Sequence, residues 1–175
     1  MTKDIFSEIS SAARRFEEAS TGLPAQKEMV ELRKLVGFSV LGENCVIPLN
    51  ELSEVLEVPK CIKLPRVKSW VCGLANVRGR LLPIIDAADF FGGALAGPLR
   101  ERRVLVLDRD GIYVGLIVDT VHGIKSLPLS EYRETRHNGP LAPFVEGSFS
   151  EEGRGLPLFC VQKLVEDSQF LSVSA

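Results

Sequence analysis

The chain has 175 residues, 45% of them hydrophobic, enough to bury a core as one domain or as two small ones. Its formal net charge is −2 and it has no long run of Lys and Arg, which disfavours nucleic acid, whose phosphate backbone wants a basic face. Its apolar runs fall far short of a membrane span, so no direct membrane insertion is expected.

Residues 3–19, KDIFSEISSAARRFEEA, place Ile5, Ile9, Ala12, Ala13 and Phe16 on one helical face. Thr21-Gly22-Leu23-Pro24 stops that helix, and residues 1–34 read as a helical N-terminal extension. The opening MTKDIFSEIS carries acids where a secretory leader needs a basic start and an apolar core, so a cytoplasmic protein is expected. Leu35–Val55 reads as a strand, a tight turn at Gly42-Glu43-Asn44 and a second strand, with a short helix in NELSEVL after Leu49. Pro65–Gly92 is apolar almost throughout but holds Arg78 near its centre, between Gly73 and Gly79. A cation in such a run is costly unless a carboxylate meets it, so Arg78 is expected to be largely buried against an acid. A short helix follows in DAADFFG, and then Gly92–Pro98, GGALAGP, has the composition of a flexible linker.

Val104–Ile124 repeats the strand–turn–strand pattern, turning at Asp108-Arg109-Asp110-Gly111. Ser130–Pro143 is a long loop, and Val145–Val165 closes the chain with two strands and a helix in VQKLVED. Without a gap, Leu35–Val55 lies over Val104–Ile124, and Val71–Phe91 lies over Val145–Val165. In that alignment Gly73 meets Gly147, Arg80 meets Arg154, and Leu82-Pro83 meets Leu156-Pro157. The chain therefore reads as mainly β, two copies of one unit, with a first barrel over 35–98, a second over 99–167 and a tail over 168–175.

The usual chemistry is missing. No Walker loop or dinucleotide fingerprint is present, and His122 and His137 lack a metal partner at ligand spacing or a serine elbow. Cys45, Cys61, Cys72 and Cys160 are scattered and suit buried, reduced thiols. Asp86, Asp108, Asp110 and Asp119 are explained by turns and helix caps. No catalytic residue, metal or cofactor is assigned. A carboxylate hydrolase using Asp86 or Asp119 with His122, and an oligonucleotide-binding barrel, are the competing classes. Trp70, Tyr113 and Tyr132 are too sparse for the latter.

Three segments resemble one family. GLANVRGRLLPIIDAADFFG, VGLIVDTVHGIKSLP and FVEGSFSEEGRGLPLFCVQKLV are similar to the signatures of CheW-like chemotaxis coupling proteins, over residues 33–167. The resemblance implies two five-stranded SH3-like barrels and no catalysis. It implies an adaptor that joins the regulatory domain of a CheA-type histidine kinase to the cytoplasmic tip of a methyl-accepting chemoreceptor, recruited to membrane-associated arrays. Carried over residue by residue, it implies an ion pair of Arg78 with Glu54, the latter in the helix after the second strand. It implies a kinase contact at Leu52, Gly73 and Arg78, and a receptor groove at Val104, Gly115, Val121 and Ile124. Cys160, Ala87, His122 and Gly123 depart from the family pattern. The extension, together with VRGRLLPIIDAADFFG, is similar to the branch of the family that serves type IV pilus twitching.

Overall fold

The computed structural model describes residues 29–175. The chain divides into two units, Met1–Val30 and Glu31–Ala175, and the second carries both sheets. The helix expected over residues 3–19 lies outside the described residues.

Among the described residues, eleven strands form two sheets. They are β1 (Leu32–Val40), β2 (Glu43–Pro48), β3 (Leu52–Glu57), β4 (Val71–Val77), β5 (Arg80–Asp86), β6 (Arg103–Arg109), β7 (Ile112–Val118), β8 (Thr120–Pro128), β9 (Tyr132–Arg133), β10 (Val145–Glu151) and β11 (Arg154–Phe159). One sheet runs β8-β1-β2-β11-β10-β9 and the other β3-β6-β7-β5-β4. The short helices are α1 (Ala87–Phe90), α2 (Val161–Val165) and α3 (Ser168–Leu171).

Four hairpins turn on a residue followed by glycine, both with positive φ: Leu41-Gly42, Arg78-Gly79, Asp110-Gly111 and Glu152-Gly153. This is the turn whose twist matches the flanking strands. The first turn thus sits at Leu41-Gly42, one residue before the expected Gly42-Glu43-Asn44. Glycine, not Asn44, supplies the left-handed conformation there.

The repeat is visible bond by bond. β1 pairs with β8 through Val36↔Ile124, and β6 pairs with β3 through the equivalent Leu105↔Val55. Each pairing is broken by a bulge at the same place, at His122 on β8 and Ser53 on β3. Val46↔Leu158 joins β2 to β11 in parallel, and its counterpart Gly115↔Ile84 joins β7 to β5. Each sheet therefore takes its central hairpin from one half of the chain and its flanking strands from the other. The expected boundary at residue 98/99 separates two sequence copies, but it does not separate the sheets. The reason is that β2 and β7 find their parallel neighbours across the chain rather than beside them.

The core has three layers. Leu35, Val46, Phe149 and Leu158 fill one face of the six-stranded sheet. Val104, Val106, Leu82 and Ile84 fill the equivalent face of the other. Between the sheets pack Val36, Phe38, Ile47, Ile85, Leu105, Leu116 and Phe159. Alternation along each strand sends successive side chains to these two faces, so both faces of the central strands are buried.

Three expectations are corrected. NELSEVL holds only a single 3-10 turn, Leu49–Glu51, before β3 begins, because β3 is recruited as an edge strand by β6. The Gly92–Pro98 linker is tied down: buried Asp119 accepts the Ala96 amide at 2.6 Å and the Gly42 amide at 3.3 Å. The C-terminal tail is docked, with Ser174 bridging Val67 and Phe170 stacked on Trp70 at 6.2 Å.

Candidate interaction surfaces

Glu54 projects from β3 and Arg78 from the β4–β5 turn. Arg78 Nη2 lies 2.9 Å from Glu54 Oε2, but the buried setting expected for Arg78 is absent. The Arg78 side chain is 80% exposed and that of Glu54 19%. Arg78 is itself a turn residue (φ 52°), and a turn tip points its side chain to water. The contact is a charge pair, without the alignment of a hydrogen bond at Oε2. The carrier of Glu54 is a strand, not a helix.

Leu52, the first residue of β3, is half-buried against the layer between the sheets. Gly73 is buried, with φ +138°, and a side chain there would collide with the Ile62 carbonyl. Ile62 and Leu74 exchange both backbone hydrogen bonds, at 2.8 and 2.9 Å, so the segment before β4 lies across that strand. A substitution at Gly73 therefore meets the chain's own backbone before it meets a partner.

The four expected groove residues are not brought together. Val104 is fully buried, and a Cβ on Gly115 would stand 2.6 Å from Val104 Cγ1 and 2.9 Å from Ile84 Cδ1. Both lie inside the five-stranded sheet's own core, because β6 and β7 are its central strands. Val121 and Ile124 lie on β8, the edge of the other sheet. Val121 packs on the layer between the sheets, and Ile124 is 65% exposed.

A model of the CheW-like domain matches residues 34–169. The chain belongs to the CheW-like family. It is 40% identical over 163 residues to protein PilI of Pseudomonas aeruginosa, covering 92% of this chain and 91% of that one. It is 29% identical over 145 residues to the chemotaxis protein CheW of Rhizobium meliloti, covering 80% and 88%. The crystal structure of the scaffolding protein TtCheW from Thermoanaerobacter tengcongensis superposes with a TM-score of 0.66 at 25% identity, over 74% of this chain and 89% of that one.

The repeat within this CheW-like fold supplies its own control for finding a surface, and it exposes a face that sequence reasoning missed. Across β4 and β5 run the rows Ile62, Leu74, Pro83 and Asn76, Leu81. Ile62 is 73% and Leu81 60% exposed, and Leu64 is exposed beside them. At the equivalent places in the second half stand Arg133, Ser148, Pro157 and Ser150, Gly155. The fold accepts small and polar residues there, so the apolar set in the first half is not a folding requirement. The same region carries Lys60, Lys63, Arg66, Lys68, Arg78 and Arg80, and no acid occurs from Val58 to Ile85. Of these cations only Arg78 and Arg80 meet carboxylates among the described residues, Glu54 and Asp108. The available signal was that acid-free stretch, which the near-neutral total charge conceals.

The remaining chemistry is quiet. Burial, aided by Glu43, pushes the Cys45 thiol up to about 12. Burial first, then Asp86, pushes Cys72 up to about 11. Both are protonated and poor nucleophiles at neutral pH. Among the described residues no three His, Cys, Asp or Glu side chains are grouped to hold a metal, and no helix is long and apolar enough to cross a membrane.

Proposed function

We propose that this CheW-like chain is a non-catalytic adaptor that couples the cytoplasmic tip of a methyl-accepting chemoreceptor to the regulatory domain of a CheA-type histidine kinase, in a pathway controlling type IV pilus twitching. Family membership and the likeness to PilI support the coupling role and the pathway. The observation that carries the kinase contact is the exposed Ile62, Leu64 and Leu81 face, apolar where its internal counterpart is polar. Exposed apolar patches rimmed by charge are interaction sites more often than accidents. Arg78, in the turn beside Leu81, ties this region to Glu54 of β3, and Gly73 supports it by seating Ile62. The receptor contact falls on the β8 edge at Val121 and Ile124, while Val104 and Gly115 serve the five-stranded sheet's own core.

The test is calorimetric titration of the kinase regulatory domain. Leu81→Glu is expected to lose binding at least tenfold while melting as the wild type does, since Leu81 is largely exposed. A wild-type chain that fails to bind the kinase domain overturns the role, and a Leu81→Glu chain that binds normally overturns this face.

A further inference from the structure

The two sheets differ in one further place, the mouth of each sheet's own core. In the five-stranded sheet that mouth is plugged. Leu56, Val77 and Tyr113 pack on the core beneath. Arg80 lies 3.8 Å over the Tyr113 ring and is held by Asp108 at 2.9 Å. In the six-stranded sheet the equivalent positions are Lys125, Glu151, Asn44, Arg154 and Ser39, and Gly37 takes the place of Val106. The result is a cleft of about 280 Å³ lined by Gly37, Asn44, His122, Lys125, Glu151 and Arg154.

Lys125, Glu151, Asn44 and Gly37 each stand where the other sheet has a more apolar side chain, and all four line the cleft. Lys125 Nζ donates to both Glu151 oxygens, at 2.9 and 2.7 Å, in a largely covered position. A pair of hydrophobic residues does that structural work in the first half, and buried ion pairs are seldom more stabilising than their apolar replacements. Asn44 is held through Oδ1 by His122 Nε2 at 3.2 Å. Arg154 has lost what fixes its counterpart: the ring of Tyr113 is an asparagine here, and the carboxylate of Asp108 is Ser39, whose hydroxyl is engaged with Thr120 at 2.8 Å. Among the described residues no carboxylate pairs with Arg154. A concave, partly enclosed site with a few convergent polar groups at a barrel mouth is where small ligands bind.

We propose that this cleft binds a small organic anion, whose carboxylate or phosphate takes at Arg154 the place that Asp108 takes at Arg80. Asn44 and His122 supply further polar contacts, the Lys125–Glu151 pair lies beside them, and Leu156 and Cys45 offer an apolar wall. The planar guanidinium suits either anion through two parallel hydrogen bonds. The site is independent of the coupling role, and its test needs neither kinase nor receptor.

The full chain, labelled with ¹⁵N, is titrated with inorganic phosphate and separately with citrate, at constant ionic strength with chloride as the control. Saturable amide shifts are expected at Gly37, Asn44 and the segment 122–125 with at least one of the two probes, and none with chloride. The probe that binds distinguishes a phosphate-bearing from a carboxylate-bearing ligand. Arg154→Ala, at an exposed position, is expected to weaken binding at least tenfold. Lys125→Leu with Glu151→Val, which copies the first half's plug, is expected to abolish it. No saturable shift with either probe overturns the proposal, as does unchanged binding in Arg154→Ala. Binding lost in Arg154→Ala but kept in a folded plugged variant also overturns it, by placing the anion on the outer surface.

Discussion

Arg78 and Gly73 sit five residues apart in sequence and have opposite sensitivities. Arg78 forms an exposed charge pair, and such pairs contribute about 0–1 kcal/mol. Arg78→Ala is expected to lower unfolding stability by less than about 1 kcal/mol, read by urea denaturation. Gly73→Asp combines a φ of +138° with a collision against the Ile62 carbonyl, and is expected to cost more than about 2 kcal/mol in the same measurement. Asp86 gives a pH signature. Its carboxylate caps α1 by accepting the Asp89 amide at 3.0 Å, while burial pushes its carboxyl above the usual 3.8. A carboxyl raised by folding favours the folded chain below its unfolded-state value, and that contribution is lost as pH rises through the folded-state value. Asp86→Asn keeps a good cap and removes the ionisation. The stability of the variant relative to the wild type is therefore expected to rise as pH goes from below about 4 to neutrality, read by melting across that range. At its internal counterpart, Cys160, α2 has no side-chain cap at all, which is the physical content of that departure from the family pattern.

At the scale of elements, much was legible. Apolar strands around a turn glycine marked the hairpins at Gly42 and Gly111, and the gapless alignment of the two halves agrees with their shared register. Gly111 tests the turn directly. It has φ +80° with no atom near its would-be Cβ, so Gly111→Ala adds only backbone strain, expected at about 1–2 kcal/mol by denaturation. What misled was local context. Leu81–Ile85 made Arg78 read as buried, when Arg78-Gly79 was the turn that reverses the chain. Val104 and Gly115 came from resemblance as groove residues, and nothing local said that β6 and β7 are central strands. The bordering face at Ile62 was not legible, because it arises where the segment before β4 lies across a strand rather than continuing past it.

For the whole molecule, the decisive fact is that neither sheet belongs to one half. Pairing partners are set by long-range packing, and no hydrophobic pattern specifies that β2 will find β11 or that β7 will find β5. Residues 1–98 alone would leave β1-β2 without β8 and β11, and residues 99–175 would leave β6-β7 without β3 and β5. Each fragment is expected to lack dispersed amide signals in NMR by itself, and an equimolar mixture to recover them. A half that folds alone would contradict the exchanged pairing. That exchange also bears on descent. A single repeat completes its sheets only by lending strands to a twin and borrowing the same strands back, as a domain-swapped dimer does. Fusing such twins into one polypeptide frees each from having to match the other, so one copy carries Ile62 and Leu81 where the other carries Arg133 and Gly155.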